Sequence, residues 1–248
     1  MIFRSLRPAF DRLSFLISVP KCVSCGRRLE YGEAALCTSC LSEYENIKSR
    51  NCSICSKVLS RCSCTNPHLK RHYIKKVIKL FRYKQREENK AANSLIYSLK
   101  RDNRDSVLDF CAKELAEAVK SSLGDVSDYV ITNVPRRRLA VIKHGIDHAA
   151  LLAKALAKET NSAYVPLLRS RARRAQKTLF GKDRLLNAEY DLRPGAKITA
   201  KKVIIVDDII TTGASMSACA MLIRGLGAKY IVGASLAIAY KDNSTPLI

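Results

Sequence analysis

The chain has no tryptophan, aromatic residues make up only 6% of it, and its 22 acids face 44 lysines and arginines. So few aromatics exclude an extensive base-stacking platform. The shortage of acids leaves a net charge of +22 on 248 residues. That charge is high for an enzyme of small molecules and implies attraction to polyanions such as nucleic acid, nucleotides or anionic lipid. No run approaches the ~20 consecutive apolar residues of a membrane-spanning helix. Leu13–Val19 is too short, and Arg4, Arg7 and Arg12 interrupt the apolar pattern before it. No small-residue cleavage site precedes Cys22, so no export signal is read and a cytoplasmic location is expected. Low-complexity tracts are missing too, and the one internal repeat is a repeat of cysteines.

Eight of the ten cysteines lie between residues 22 and 64. They read Cys22-x2-Cys25-x11-Cys37-x2-Cys40, then Cys52-x2-Cys55-x6-Cys62-x-Cys64. Paired thiolates arriving from tight turns suit tetrahedral zinc, and the first quartet has that spacing throughout. The second ends on a shorter bite, with His68 and His72 nearby as alternative ligands. A disulfide framework is the competing explanation and needs an oxidising compartment. Two structural zinc ions are therefore expected, one per quartet, although spacing leaves interleaved pairing open. A head of this size has little core of its own, which is why it needs metal. Cys111 and Cys219 stand alone and read as small core residues.

The C-terminal half carries a different signal. Val203-Ile-Ile-Val206 reads as a buried strand ending at Asp207 and Asp208. Thr211-Thr212-Gly213-Ala214-Ser215 then forms a turn, Met216–Leu226 a helix, and Tyr230–Ala239 the next strand. Two adjacent carboxylates can accept both hydroxyls of a vicinal diol. The turn offers hydroxyls and backbone N–H groups at a helix N-terminus, where the dipole favours an anion, and Gly213 permits φ > 0. This order resembles the phosphoribosyl pyrophosphate (PRPP) signature of the type I phosphoribosyltransferases. The resemblance implies that Asp207 and Asp208 bind the ribose hydroxyls and that Thr211, Thr212, Gly213, Ala214 and Ser215 bind the 5′-phosphate. It also implies Mg2+ alongside PRPP.

Two basic segments fit the same reading. Tyr129–Val134 is a short β-like run ending at Pro135, Arg136, Arg137 and Arg138, a basic loop where a pyrophosphate leaving group wants cations. A helix is expected over Lys143–Lys158. Arg169 to Lys182 is basic and poor in apolar residues, so it is read as a mobile loop. Within it, Arg169, Arg171, Arg173, Arg174, Gln176 and Lys177 are the lid candidates. Transfer from PRPP passes through a cation-like ribose centre that water can attack, and a closing lid excludes water. A contact for nucleic acid is the alternative use of the same loop.

Taken with the cysteine head, these motifs resemble the ComF family, competence-associated phosphoribosyltransferase-like proteins. The carrying residues are Phe15–Gly26, Lys143–Ala149, the Gln176–Leu179–Arg184–Asn187–Tyr190 pattern and the signature itself. The chain departs from the family pattern at His144-Gly145-Ile146, where Arg-Gly-Phe is usual, and at Tyr190, where Phe is usual. The fold class expected is α/β, a type I phosphoribosyltransferase-like, mostly parallel sheet flanked by helices. Residues 1–68 would form an N-terminal helix and double zinc-ribbon-like head, and residues 69–248 the transferase-like domain. Between the head and the signature lie three short amphipathic segments, around Ile74–Phe81, Leu95–Leu99 and Val107–Val119, read as the first elements of the transferase-like domain, with the polar run Arg82–Lys90 separating two of them.

The acceptor is not readable. Hypoxanthine-guanine transferases carry an Asp at the position of Thr211, and glutamine amidophosphoribosyltransferases need an N-terminal nucleophilic Cys where this chain has Ile2. No general base is identifiable, so the catalytic residues are unassigned. Two functions remain: a Mg2+-dependent PRPP transferase of unknown acceptor, associated with DNA uptake, or a non-catalytic factor binding nucleotide or single-stranded DNA. Competence or recombination proteins are the protein partners the second function implies.

Overall fold

The computed structural model describes residues 20–84, 87–101, 104–136, 146–171 and 190–239. Its centre is a five-stranded sheet built from β1 (Ile74–Arg82), β2 (Tyr129–Asn133), β3 (Ala163–Tyr164), β6 (Lys202–Ile210) and β7 (Tyr230–Ile238). The spatial order is β1-β7-β6-β2-β3, and every pairing is parallel. Parallel strands need crossovers, and crossovers place helices on the sheet faces, which is why β6 and β7 are near-continuous apolar runs rather than alternating ones.

Packed on the sheet are α3 (Lys90–Arg101), α4 (Asp105–Leu123), α5 (His148–Thr160) and α6 (Ala214–Gly225). Ile78, Ile204, Val206 and Val232 join the core on one side with α3, α4 and α5. Val77, Val203, Ile205 and Ile231 join a second core with α6. The expected α/β architecture is thus observed. Of the three amphipathic segments, the first is the edge strand β1, and the others are α3 and α4. A run with buried residues on both sides is a strand here, because β7 supplies its hydrogen-bond partners.

Several boundaries move. Strand β6 runs on through both acids to Ile210, because Asp207 pairs with Ser235 and Ile210 with Ile238. Helix α6 begins at Ala214, inside the expected turn. Helix α5 begins at His148, not Lys143: Asp147 caps it by accepting from the Ala150 N–H at 3.1 Å, and residues 137–145 lie outside the described residues. The segment read as a loop from Arg169 starts as a strand, since β4 (Leu168–Ser170) and β5 (Tyr190–Leu192) form an antiparallel ribbon.

The head is short on core, but it is not isolated. Its helix α1 (Thr38–Lys48) buries Tyr44 completely, edge-on to Phe81 of β1 (6.2 Å) and Phe110 of α4 (5.6 Å). The Tyr44 hydroxyl donates to Glu114 at 2.9 Å, and Leu36, Cys37 and Ile47 belong to the same apolar cluster as α3, α4 and α5. A five-residue helix α2 (Pro67–Arg71), capped by Asn66, leads from the head into β1. Among the described residues no helix is long and apolar enough to cross a membrane.

Candidate functional site

The signature lies at the C-terminal end of β6, where a parallel sheet exposes its ligand crevice. Asp207 and Asp208 are both half-buried, and their environments differ. Asp207 receives the Asp208 N–H at 2.9 Å, and Asp208 receives the Ile209 N–H at 2.6 Å. Desolvation, helped by the charge of Asp208, pushes the Asp207 carboxyl well above the usual carboxylate range. Asp208 instead pairs with Lys100 of α3 at 3.1 Å. One acid is starved of solvent and the other holds a cation.

The turn after β6 is built on a left-handed glycine. Gly213 caps α6 with φ 83° and ψ 0°, the left-handed region. A Cβ there would also come within 2.7 Å of Leu69 Cδ2, so the position is closed to other residues by backbone and by space. Leu69 comes from α2 and is wholly buried. Thus the segment that leaves the second cysteine quartet forms the floor of the turn. Thr212 Oγ1 accepts from the Ala214 N–H at 3.3 Å, and Thr211, Thr212 and Ala214 are exposed.

The basic loop starts at the C-terminal end of β2, the strand parallel and adjacent to β6. Pro135 and Arg136 follow β2; Arg137 and Arg138 lie outside the described residues. The two ends of the loop are tied by Asp147, whose Oδ2 accepts from the Arg136 N–H at 3.1 Å, while Arg136 Nη1 donates to the Ile146 carbonyl at 3.3 Å. Of the lid candidates, Arg169 is in β4 and Arg171 is paired with Asp191, its Nε donating at 2.6 Å. Arg173, Arg174, Gln176 and Lys177 lie outside the described residues.

Sequence reasoning missed two residues here. Lys100 belongs to no motif in the sequence, and only the packing of α3 against its neighbouring helices brings it to Asp208. His148, the first residue of α5, is 7% exposed, and neither of its ring nitrogens has a hydrogen-bond partner. Desolvation and the charge of Arg136 hold it below the usual histidine range, against the opposite pull of Asp208 and Asp147. It is a neutral imidazole among the groups of the site.

The cysteine quartets are brought together as expected. In each, the four Sγ atoms lie within 4.8 Å of one another: Cys22, Cys25, Cys37 and Cys40, then Cys52, Cys55, Cys62 and Cys64. The pairing is sequential, not interleaved. No disulfide joins the ten cysteines, and the chemistry of each donor set, four soft sulfurs at one point, fits zinc. His68 and His72 are outside the second cluster; His72 Nδ1 is hydrogen-bonded to the His68 carbonyl at 2.8 Å. The backbone N–H of Cys40, helped by side-chain bonds from Arg27, Cys40 and Cys25, pulls the Cys37 thiol down to about 6, whereas burial pushes Cys64 up to about 12.

With this geometry in view, residues 139–246, which include β6, the signature turn and β7, match the family model of the phosphoribosyl transferase domain. The chain is 25% identical over 230 residues to "Competence protein ComFC" of Streptococcus pneumoniae (strain ATCC BAA-255 / R6), covering 87% of this chain and 99% of that protein. A shorter match, 30% identical over 112 residues, is to an adenine phosphoribosyltransferase of Bordetella avium (strain 197N), covering 44% of this chain and 60% of that one. Among solved structures, an adenine phosphoribosyltransferase of Thermoanaerobacter pseudethanolicus is 20% identical with a TM-score of 0.37, covering 55% of this chain and 82% of that one.

Proposed function

We propose that the protein binds PRPP with Mg2+ at the end of β6 and transfers its phosphoribosyl group to a small acceptor. The carrying observation is the convergence of Asp207, Asp208 and the left-handed Gly213 turn at one end of a parallel sheet. Asp207 and Asp208 take the ribose hydroxyls, and Thr211 to Ser215 cradle the 5′-phosphate at the N-terminus of α6. Adjacent carboxylates are the hard oxygen donors that Mg2+ prefers, so the residues present fit the ion, which when bound neutralises pyrophosphate charge. Ribose hydroxyls compete with Lys100 for Asp208. Arg136, with Arg137 and Arg138, stabilises the departing pyrophosphate. The stretch carrying Arg173, Arg174, Gln176 and Lys177 keeps water from the ribose centre. Neutral His148 is the candidate proton acceptor for an incoming nucleophile. The transferase unit is taken to begin at residue 69, since β1 belongs to its sheet and the cysteine quartets end at Cys64.

The test is thermal and calorimetric. PRPP with Mg2+ at 100 times its dissociation constant adds about 2.7 kcal/mol of stability. Asp207→Ala with Asp208→Ala abolishes that gain, and pyrophosphate release with candidate bases reports turnover. A wild-type protein indifferent to PRPP, ribose 5-phosphate and nucleotides sinks the reading.

A second reading is favoured by the net charge of +22 and by a relative named as a competence protein. It places the chain in the cytoplasm, in DNA uptake or recombination with competence proteins, binding single-stranded DNA with little sequence preference. Affinity then falls with salt by a log–log slope of about −0.7 per phosphate contact. Replacing Arg171, Arg173 and Arg174 with Ala flattens the slope by roughly two units if all three touch phosphates. Absence of DNA binding at low salt leaves the small-molecule transferase alone.

A further inference from the structure

Lys79 is the most anomalous side chain of the sheet. It lies in the edge strand β1, paired in register with Ser235 of β7, and is wholly buried. Burying an ammonium without compensation is among the costliest acts in a protein interior, so its partners identify its purpose. Nζ donates to the Cys64 carbonyl at 2.9 Å and the Val77 carbonyl at 3.3 Å, and it reaches Cys62 Sγ at 3.1 Å. No carboxylate is among these contacts. Carbonyl dipoles orient an ammonium, but they do not neutralise it. Among the described residues, the one partner that can carry a full negative charge is a sulfur of the second quartet. That quartet is held to the same strand by the backbone, for the Val77 N–H donates to the Ser63 carbonyl at 3.2 Å.

Four thiolates around a divalent ion leave a net charge of −2. The first quartet also has a cation beside it, since Arg27 hydrogen-bonds Cys37, but that guanidinium is exposed and shared with Glu30 and Glu33 at 2.8 Å, so among the described residues only the second quartet sets a buried cation against its sulfur. We infer that Lys79 is the buried counter-charge of the second metal centre, and that this centre therefore stabilises the sheet of the transferase domain as well as the head. The inference rests on the reading of the quartet as a metal site. It has a consequence that mere packing lacks. When metal is bound, Lys79 is paired and its loss is harmful. When metal cannot bind, Lys79 is an uncompensated charge inside the sheet and its loss is a gain.

The experiment is a two-by-two cycle on the full chain with Lys79→Met and Cys55→Ser, reading zinc content and Tm. In the wild-type background Lys79→Met is expected to lower Tm and to speed release of one of two zinc ions to a chelator by about tenfold or more. In the Cys55→Ser background the same change is expected to raise Tm by roughly 5 °C. Cobalt-loaded protein supplies a third readout: Lys79→Met shifts the thiolate-to-metal charge-transfer bands of one site and leaves the other. Two zinc ions bound, with Lys79→Met lowering Tm equally in both backgrounds and leaving release unchanged, overturn the inference while the metal reading stands. Wild-type protein with no metal at Cys52, Cys55, Cys62 and Cys64 overturns both together.

Discussion

The two cysteine quartets are built on one turn and set in two environments. In both, the first cysteine N–H donates across the knuckle at 2.8 Å, to Arg27 in one and Lys57 in the other, and its carbonyl accepts four residues on at 3.0 Å. A single antiparallel bridge closes each, Lys21 to Arg28 and Asn51 to Val58. The residue that must turn left-handed is Gly26 in the first and Ser56 in the second. Beyond the knuckle they diverge. The first is completed by α1 and surrounded by exposed ion pairs. The second is completed by a short loop lying against β1, with Lys79 beneath it. Identical local chemistry thus gives one centre that staples the head and another that is shared with the sheet.

The largest expected effect tests that difference directly. Cys22→Ser and Cys52→Ser each remove a metal ligand, but only the second also leaves Lys79 buried and unpaired. Cys52→Ser should destabilise by about 3 kcal/mol more, read by denaturant unfolding. Equal losses would mean that the two centres are equivalent staples.

Asp207 extends the comparison to a buried carboxyl that no cation pairs with directly among the described residues. Its folded pKa is raised, so it opposes folding increasingly as pH climbs from the ordinary carboxylate range toward the folded value. Asp207→Asn should therefore stabilise the ligand-free protein at neutral pH by about 1 kcal/mol, a gain that fades as pH falls to the unfolded carboxylate pKa. The same variant should lose its thermal response to PRPP. Asp208→Asn, which strands Lys100 instead, should lose the response without the gain.

A smaller effect separates the two knuckles by backbone alone. Ser56 has φ 56° and Gly26 φ 76°. Ser56→Gly should stabilise by about 0.5 kcal/mol and Gly26→Ser destabilise by about 1 kcal/mol, with zinc content unchanged. A Cβ at Gly26 would meet nothing within 4 Å, so strain and not collision decides the sign. The smallest effect belongs to Arg27→Ala, which removes exposed ion pairs and a solvent-screened contact to Cys37 and should lower Tm by only about a degree.

Much of this molecule was legible in the chain. Thiol spacing alone marked both quartets, because a tetrahedral ion needs paired donors from tight turns. The signature was equally local, since strand, acids, glycine turn and helix follow one another without interruption. The histidine alternatives at the second quartet could not be resolved that way: His68 and His72 are near in sequence, yet α2 carries them past the cluster. Boundaries failed where partners set them, as when β7 extended β6 through the acids.

What the sequence determined by itself was therefore the chemistry of contiguous motifs: which thiols, which carboxylates, which turn, and the +22 charge. What only the tertiary structure decided was which cations those groups meet. Lys79 and Lys100 are indistinguishable in sequence from the other lysines around them, one in an amphipathic run and one on a helix. Strand pairing drives the first beneath Cys62, and helix packing brings the second to Asp208. The reason is physical: a covalent neighbour is set by the chain, whereas the counter-charge of a buried group is set by whichever element the apolar core packs against it.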